Sequence, residues 1–180
     1  MDGPIILFLG QHFLYKGFVQ LLQAAPIVWK KIPEANFVFI GPDVDHSEKY
    51  FQGEVDPRVH RLGQVDLQTK TNALAACTLL CVPSIQESFG GVYTEAWSFQ
   101  KPVIGCPIPA VSEVISDGVD GYLADQMPQA IAERIIDLLQ NPSKATEMGK
   151  AGCRKVEEKY SWNRVAQLTE EAYKQVLAKG

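Results

Sequence analysis

Short apolar runs alternate along this chain with longer segments whose apolar residues recur every three or four positions. A continuous run of about five reads as a strand buried on both faces, and the longer period reads as the inward face of a helix. Residues 5–9 (IILFL) form the first such run and stop at Gly10. Phe18, Leu21, Leu22, Ala25, Val28, Trp29 and Ile32 then mark a helix, which Pro26 is expected to kink or split. A second strand is predicted at 37–40 and a weaker third at 59–62. Asp66 is placed to cap a helix running to Ala76. A strand at 78–82, a helix over 89–99, a strand at 102–105, a short helix around 111–116 and a strand at 121–123 follow.

The remainder reads as helical. Ile131, Ile135, Leu138 and Leu139 share one side of a helix over 128–139, and Asn141-Pro142 has the form of a cap followed by proline at the first helical position. A last amphipathic helix starts at Ser161, with Val165, Leu168, Ala172 and Val176 in register. Strands alternating with helices of this length predict an α/β fold, a doubly wound parallel sheet with helices on both faces. Such a sheet gathers ligands at the carboxyl ends of its strands. No internal repeat or linker interrupts the pattern, so residues 1–180 are expected to form one domain, with 161–180 as its closing helix.

The chain has 180 residues, 46% apolar and 21% charged, which excludes a disordered chain. Its 17 Lys and Arg against 21 Asp and Glu give a net charge of −4 without a basic block, so nucleic acid is not an expected partner. No apolar run approaches the length of a membrane span. The opening Met-Asp-Gly-Pro, leading straight into the first strand, lacks the pattern of a secretory leader. Cys77, Cys81, Cys106 and Cys153 have no metal-site spacing and read as reduced thiols, in keeping with a cytoplasmic location.

Three loops at predicted strand ends carry candidate chemistry. The strongest runs from Pro83 to Ala96 (PSIQESFGGVYTEA). Adjacent Gly90 and Gly91 at a helix start let a ligand approach bare backbone, and free amides at the positive end of a helix suit phosphate. Glu87 before the helix and Glu95 within it could each accept bonds from sugar hydroxyls. Ribose, pyrophosphate and hexose, as in a nucleotide diphosphate sugar, would match that order. The same letters also fit a plain tight turn with two solvated carboxylates. In the second loop, from Gly10 to Gly17, Lys16 is a candidate phosphate contact and His12 a candidate proton donor, although both fit structural or solubility roles too. In the third, Gly63, Gln64 and Val65 could present backbone to a flat base. Asp43-Val44-Asp45 resembles an Asp-x-Asp metal motif only weakly. No P-loop, no Gly-x-Gly-x-x-Gly after the first strand and no nucleophile elbow around Ser84, Ser88 or Ser98 is present.

The run Glu87-Ser88-Phe89-Gly90-Gly91-Val92-Tyr93-Thr94-Glu95-Ala96 resembles the Glu-x7-Glu motif of retaining GT-B glycosyltransferases, family 4 in particular. The likeness extends through Phe8-Leu9-Gly10 with Lys16-Gly17, Lys101-Pro102-Val103-Ile104, Ser112 to Tyr122, and Tyr160-Ser161-Trp162. It implies a Rossmann-like domain forming the carboxyl-terminal, donor-binding half of a two-domain enzyme that transfers a hexose with retention. Glu87 and Lys16 would then be the catalytic pair. Gly10, Gln11, Lys16, Glu87, Ser88, Phe89, Gly90, Gly91 and Val92 would surround donor sugar and diphosphate. Glu95 would hold the ribose, and Gly63 and Val65 would face the base.

The resemblance further implies a UDP, GDP or ADP sugar as donor and neither metal nor another cofactor. The acceptor, a sugar, lipid or small molecule, would be held by an amino-terminal domain that this chain does not contain. The parent enzyme would be cytoplasmic, at most peripheral on the inner membrane face. Two departures stand out: Gln11 replaces the family's usual arginine, and Pro109-Ala110 replaces a glycine pair. A non-catalytic binding module of the same fold and a GT-B-type nucleotide-sugar epimerase are the competing readings. The final helix, lacking part of its dock, is expected to favour self-association.

Overall fold

A computed structural model describes residues 2–52 and 56–178. The last two residues of the expected closing helix lie outside that range. Six parallel strands join one sheet in the order β3-β2-β1-β4-β5-β6. They are β1 (Ile5–Leu9), β2 (Asn36–Ile40), β3 (Val59–Gly63), β4 (Leu79–Cys81), β5 (Val103–Gly105) and β6 (Gly121–Leu123). The fully apolar runs lie in the middle: every residue of β2, β4 and β5 is buried, whereas β3, the weakest of the predicted strands, is a partly exposed edge.

The helices are α1 (Phe18–Trp29), α2 (Leu67–Ala76), α3 (Gly91–Ser98), α4 (Pro109–Ser112), α5 (Pro128–Gln140), α6 (Pro142–Lys155) and α7 (Trp162–Leu177). The chain steps from β1 to β2 in one direction and from β3 to β4 and β5 in the other. Right-handed crossovers therefore put α1 and α3 on opposite faces. On one face α1 packs with α5, and on the other α3 packs with α6. The α3–α6 contact is close because α6 turns glycine inward: a Cβ on Gly152 would stand 2.0 Å from the Trp97 ring. The Trp97 indole N–H in turn donates to the Asp120 carbonyl at 2.8 Å.

Several expectations are corrected. Helix α1 runs unbroken through Pro26, whose ring is exposed, so the carbonyl deprived of its partner can turn to water. Helix α3 begins at Gly91 rather than at residue 89, because Gly90 takes a left-handed conformation (φ 75°) that ends the loop. The short helix before β6 starts two residues early, at Pro109. Asn141 does not cap α6 with its side chain; it donates to the Asp137 carbonyl at 2.8 Å and so closes the end of α5.

Asp66 does cap α2, accepting from the Thr69 amide at 2.7 Å, and Ser161 caps α7. Cys77, Cys81 and Cys106 are buried, Cys153 is half-buried, and all four are free thiols. Burial pushes the Cys77 thiol up to about 11 and Cys106 to about 12, so both stay protonated at neutral pH. Among the described residues, no helix is long and apolar enough to cross a membrane.

Candidate functional site

The strand order reverses between β1 and β4, so the loops that leave their carboxyl ends diverge toward opposite faces and open a crevice. Both loops that carried the strongest sequence signals start there. The Ile85 amide donates to the Tyr15 carbonyl at 2.9 Å, joining the loop after β1 to the loop after β4. Gln126 adds a second tie, its side-chain amide reaching the carbonyls of Tyr15 and Pro83 at 2.9 and 2.8 Å. No sequence signal marked Gln126, although it follows β6 at the same edge of the sheet.

At the centre is the start of α3. Among the described residues, no acceptor takes the amides of Gly90, Gly91 or Val92. Tyr93 fixes this turn from below, donating its hydroxyl to the Val82 carbonyl at 2.7 Å. A Cβ on Gly90 would lie 2.6 Å from that tyrosine ring, whereas one on Gly91 would meet nothing within 4 Å. Gly90 is buried, whereas Gly91 is exposed and Val92 half-buried, so the unused amides of Gly91 and Val92, helped by the helix dipole, are the ones an anion could reach.

Two hollows open among these loops, and the second includes Gly91 and Val92 in its lining. The first, of about 690 Å³, is lined by Lys16, Glu87, Ser88 and the start of α4 at Pro109-Ala110. Here the Lys16 ammonium donates to Glu87 at 2.5 Å, with side-chain exposures of 19% and 9%. The second, of about 380 Å³, is walled by Ile40, Pro42, Val65 and Val92, with Gly10 and Gln11 at its rim. Its charged groups are Glu95 and Lys70, paired at 2.9 Å. Glu87 and Glu95 are thus each held by a lysine, pairings that the sequence did not indicate. Lys70 was missed, because only the folded arrangement, with α2 packed on β1, brings it beside Glu95.

Glycine shapes the second hollow's floor. Gly41 adopts φ 144°, where a Cβ would stand 1.9 Å from the Gly10 carbonyl, and its amide donates to the Gly63 carbonyl at 2.9 Å. Gly63 is consumed by that bond and does not line the hollow; Gln64 and Val65 do. Phe89 lines neither hollow and instead meets Tyr160 edge-on, with ring centroids 5.3 Å apart.

His12 is not a proton donor in the crevice. Its side chain is fully buried among Phe8, Phe18 and Phe51, with Nδ1 3.0 Å from Asp43. Burial pushes the Asp43 carboxyl up, but hydrogen bonds from Arg61, His12 and Ser47 outweigh it and hold the pKa below its usual value. An ionised carboxylate only accepts, so Nδ1 donates in this bond, and among the described residues Nε2 has no partner. Asp43, the first residue of the weak Asp-x-Asp pattern, thus has three protein partners.

This sheet order, with its crevice at the reversal, is that of the Rossmann-like domains of GT-B glycosyltransferases. The sequence model of the family described as glycosyl transferases group 1 matches residues 1–155, and the chain belongs to that family. It is 29% identical over 99% of its length to a phosphatidyl-myo-inositol mannosyltransferase of Mycobacterium tuberculosis, and 26% identical to the alpha-maltose-1-phosphate synthase of Mycolicibacterium smegmatis. It covers 49% of each, so the chain spans about half the length of these curated relatives. Among solved structures, Anabaena Alr3699/HepE in complex with UDP and glucose aligns with TM-score 0.84 at 19% identity, over 97% of this chain and 49% of that one. The carboxyl-terminal domain of a group 1 glycosyl transferase (LpcC) from Francisella tularensis aligns with TM-score 0.77 at 24% identity, over 88% of this chain and 87% of its own.

The open space in front of Gly91 is directly testable. Gly91→Ala should leave the melting temperature unchanged or slightly raised, because the methyl group meets no protein atom. It should weaken binding of inorganic pyrophosphate, measured by calorimetry, by about tenfold. A variant that loses stability and pyrophosphate together would place the methyl group in the fold rather than in an anion site.

Proposed function

We propose that this domain grips a nucleotide diphosphate sugar at the β1/β4 crevice, as the donor-binding half of a hexosyltransferase that works with retention. The single observation that carries the reading is the pair of free, accessible amides at Gly91 and Val92, in the hollow that holds Glu95, on the α3 start that leads on from the loop bearing Glu87. Diphosphate sits on the amides. The base and ribose enter the apolar hollow, where Ile40, Pro42 and Val65 offer flat walls and Glu95 accepts from the ribose diol. The hexose enters the other hollow and meets Glu87.

Lys16 keeps its bond to Glu87 and turns its remaining N–H groups toward the diphosphate, where with the α3 amides it stabilises the charge of the departing nucleotide. The acceptor, a sugar, lipid or small molecule, reaches the hexose from a second domain of the parent enzyme. Alignment and exclusion of water depend on that domain, so the chain by itself binds donor weakly and transfers poorly. No metal enters this scheme, since lysine and backbone amides meet the leaving group. The Anabaena protein's bound UDP and glucose support the ligand class. Its location on this reading is cytoplasmic.

Calorimetry with UDP, GDP and ADP and their sugars tests the reading. One of the three nucleotides should bind, and failure of all three at millimolar concentration, in the chain and in its parent, would refute it. Glu95→Ala should weaken the nucleotide itself by about tenfold, whereas Glu87→Ala should spare the nucleotide and weaken only the nucleotide sugar. Equal losses for both ligands in both variants would contradict that division.

The closing helix supports a second expectation. Helix α7 buries no residue, and Val165, Leu168, Tyr173 and Val176 are exposed along one groove of about 450 Å³. In the isolated chain a second copy covers this face, so sizing chromatography should show a concentration-dependent shift toward dimer, abolished by Leu168→Glu. A clean monomer at high concentration would contradict it.

A further inference from the structure

Resting on that reading, we propose that Lys70 is the second cation of the donor site: it offsets the charge of Glu95 so that the carboxylate can hold the ribose without repelling the neighbouring diphosphate. Four charged side chains line the two hollows among the described residues, namely Lys16, Glu87, Lys70 and Glu95. They sum to zero. Without Lys70 the crevice would carry a net negative charge and face a ligand that is itself an anion. Lys16 cannot cover both acids, because its ammonium is already held by Glu87 in the other hollow. Gln11, at the rim of the hollow that holds Glu95, brings no charge.

The pair's geometry suits this division. Lys70 takes Oε1 of Glu95 at 2.9 Å, which leaves Oε2 for a hydroxyl. Both side chains line the nucleotide-sized hollow and remain partly exposed, at 30% and 43%. An ion pair that open contributes little to stability. Its position therefore matters more to the ligand than to the fold. The consequence is a charge-selective lesion: losing Lys70 should hurt a diphosphate and spare an uncharged nucleoside. Losing Glu95 should hurt both, because the diol acceptor itself is gone.

The test uses this chain with UDP, GDP and ADP, followed by the nucleoside of whichever binds best. Lys70→Met should melt within about 2 °C of the parent chain, as expected for an exposed pair. It should weaken the nucleoside diphosphate about five- to tenfold while changing the nucleoside by less than about twofold. Lys70→Arg should restore the diphosphate affinity. The salt dependence of diphosphate binding should be shallower in Lys70→Met than in the parent chain. Equal weakening of nucleoside and diphosphate would overturn the proposal in favour of a purely structural pair, and so would unchanged or tighter diphosphate binding by Lys70→Met. If the parent chain binds none of the three nucleotides, the donor reading fails first and this proposal with it; nucleotide binding indifferent to Lys70 defeats the proposal alone.

Discussion

The reversal of strand order between β1 and β4 is the constraint from which the rest of the site follows. Parallel strands require crossovers, crossovers are right-handed, and two that run in opposite directions must leave the sheet on opposite faces. The loops after β1 and β4 consequently part and cannot fill the space between them. Two kinds of contact keep that space at a fixed width: the Ile85–Tyr15 backbone bond and the Gln126 amide that reaches into both loops. The Tyr93–Val82 bond holds the α3 start at the centre. Among the described residues, nothing consumes the amides of Gly91 and Val92.

Electrostatics then decides what the crevice can hold. Free amides and the helix dipole attract an anion, but two glutamates stand beside them, and bare carboxylates there would cancel the attraction. Each glutamate instead has a lysine, Lys16 in one hollow and Lys70 in the other. The pairs leave carboxylate oxygens available to hydroxyls while removing net negative charge. A polyol joined to an anion and then to a second polyol fits such a surface. Asp43, which lies close by, is withdrawn from it by bonds to His12, Ser47 and Arg61.

The sheet was legible because strands buried on both faces must be apolar throughout, and residues 5–9, 37–40 and 79–81 are. Helix periods marked α1 and α5 because one face of each is buried, and α7 by an apolar stripe that stays exposed. What the letters could not convey were conformations and partners that depend on packing. Gly90 ends the loop by a left-handed turn that needs Tyr93 beneath it, which moved the start of α3. Pro26 was tolerated because its face of α1 meets solvent. At the site, Lys16, Glu87, Gly91 and Glu95 were readable from their positions at strand ends. Lys70 and Gln126 were not, because they come from segments that only the completed sheet brings to the crevice. For His12 the letters left a structural role and a proton donor both open, and the structural one holds, because an aromatic cage assembled from three separate segments surrounds it.

The central claim is that the crevice between the β1 and β4 loops, and no other surface, receives a nucleotide diphosphate. The most direct measurement is a map of backbone amide shifts by nuclear magnetic resonance as UDP, GDP or ADP is added to the isotope-labelled chain. The account predicts saturable shifts centred on Gly91 and Val92, extending to Gln11 and Val65, with the opposite edge of the sheet around Ile5 and Thr78 unmoved. Shifts centred on that opposite edge, or on α7, would contradict it.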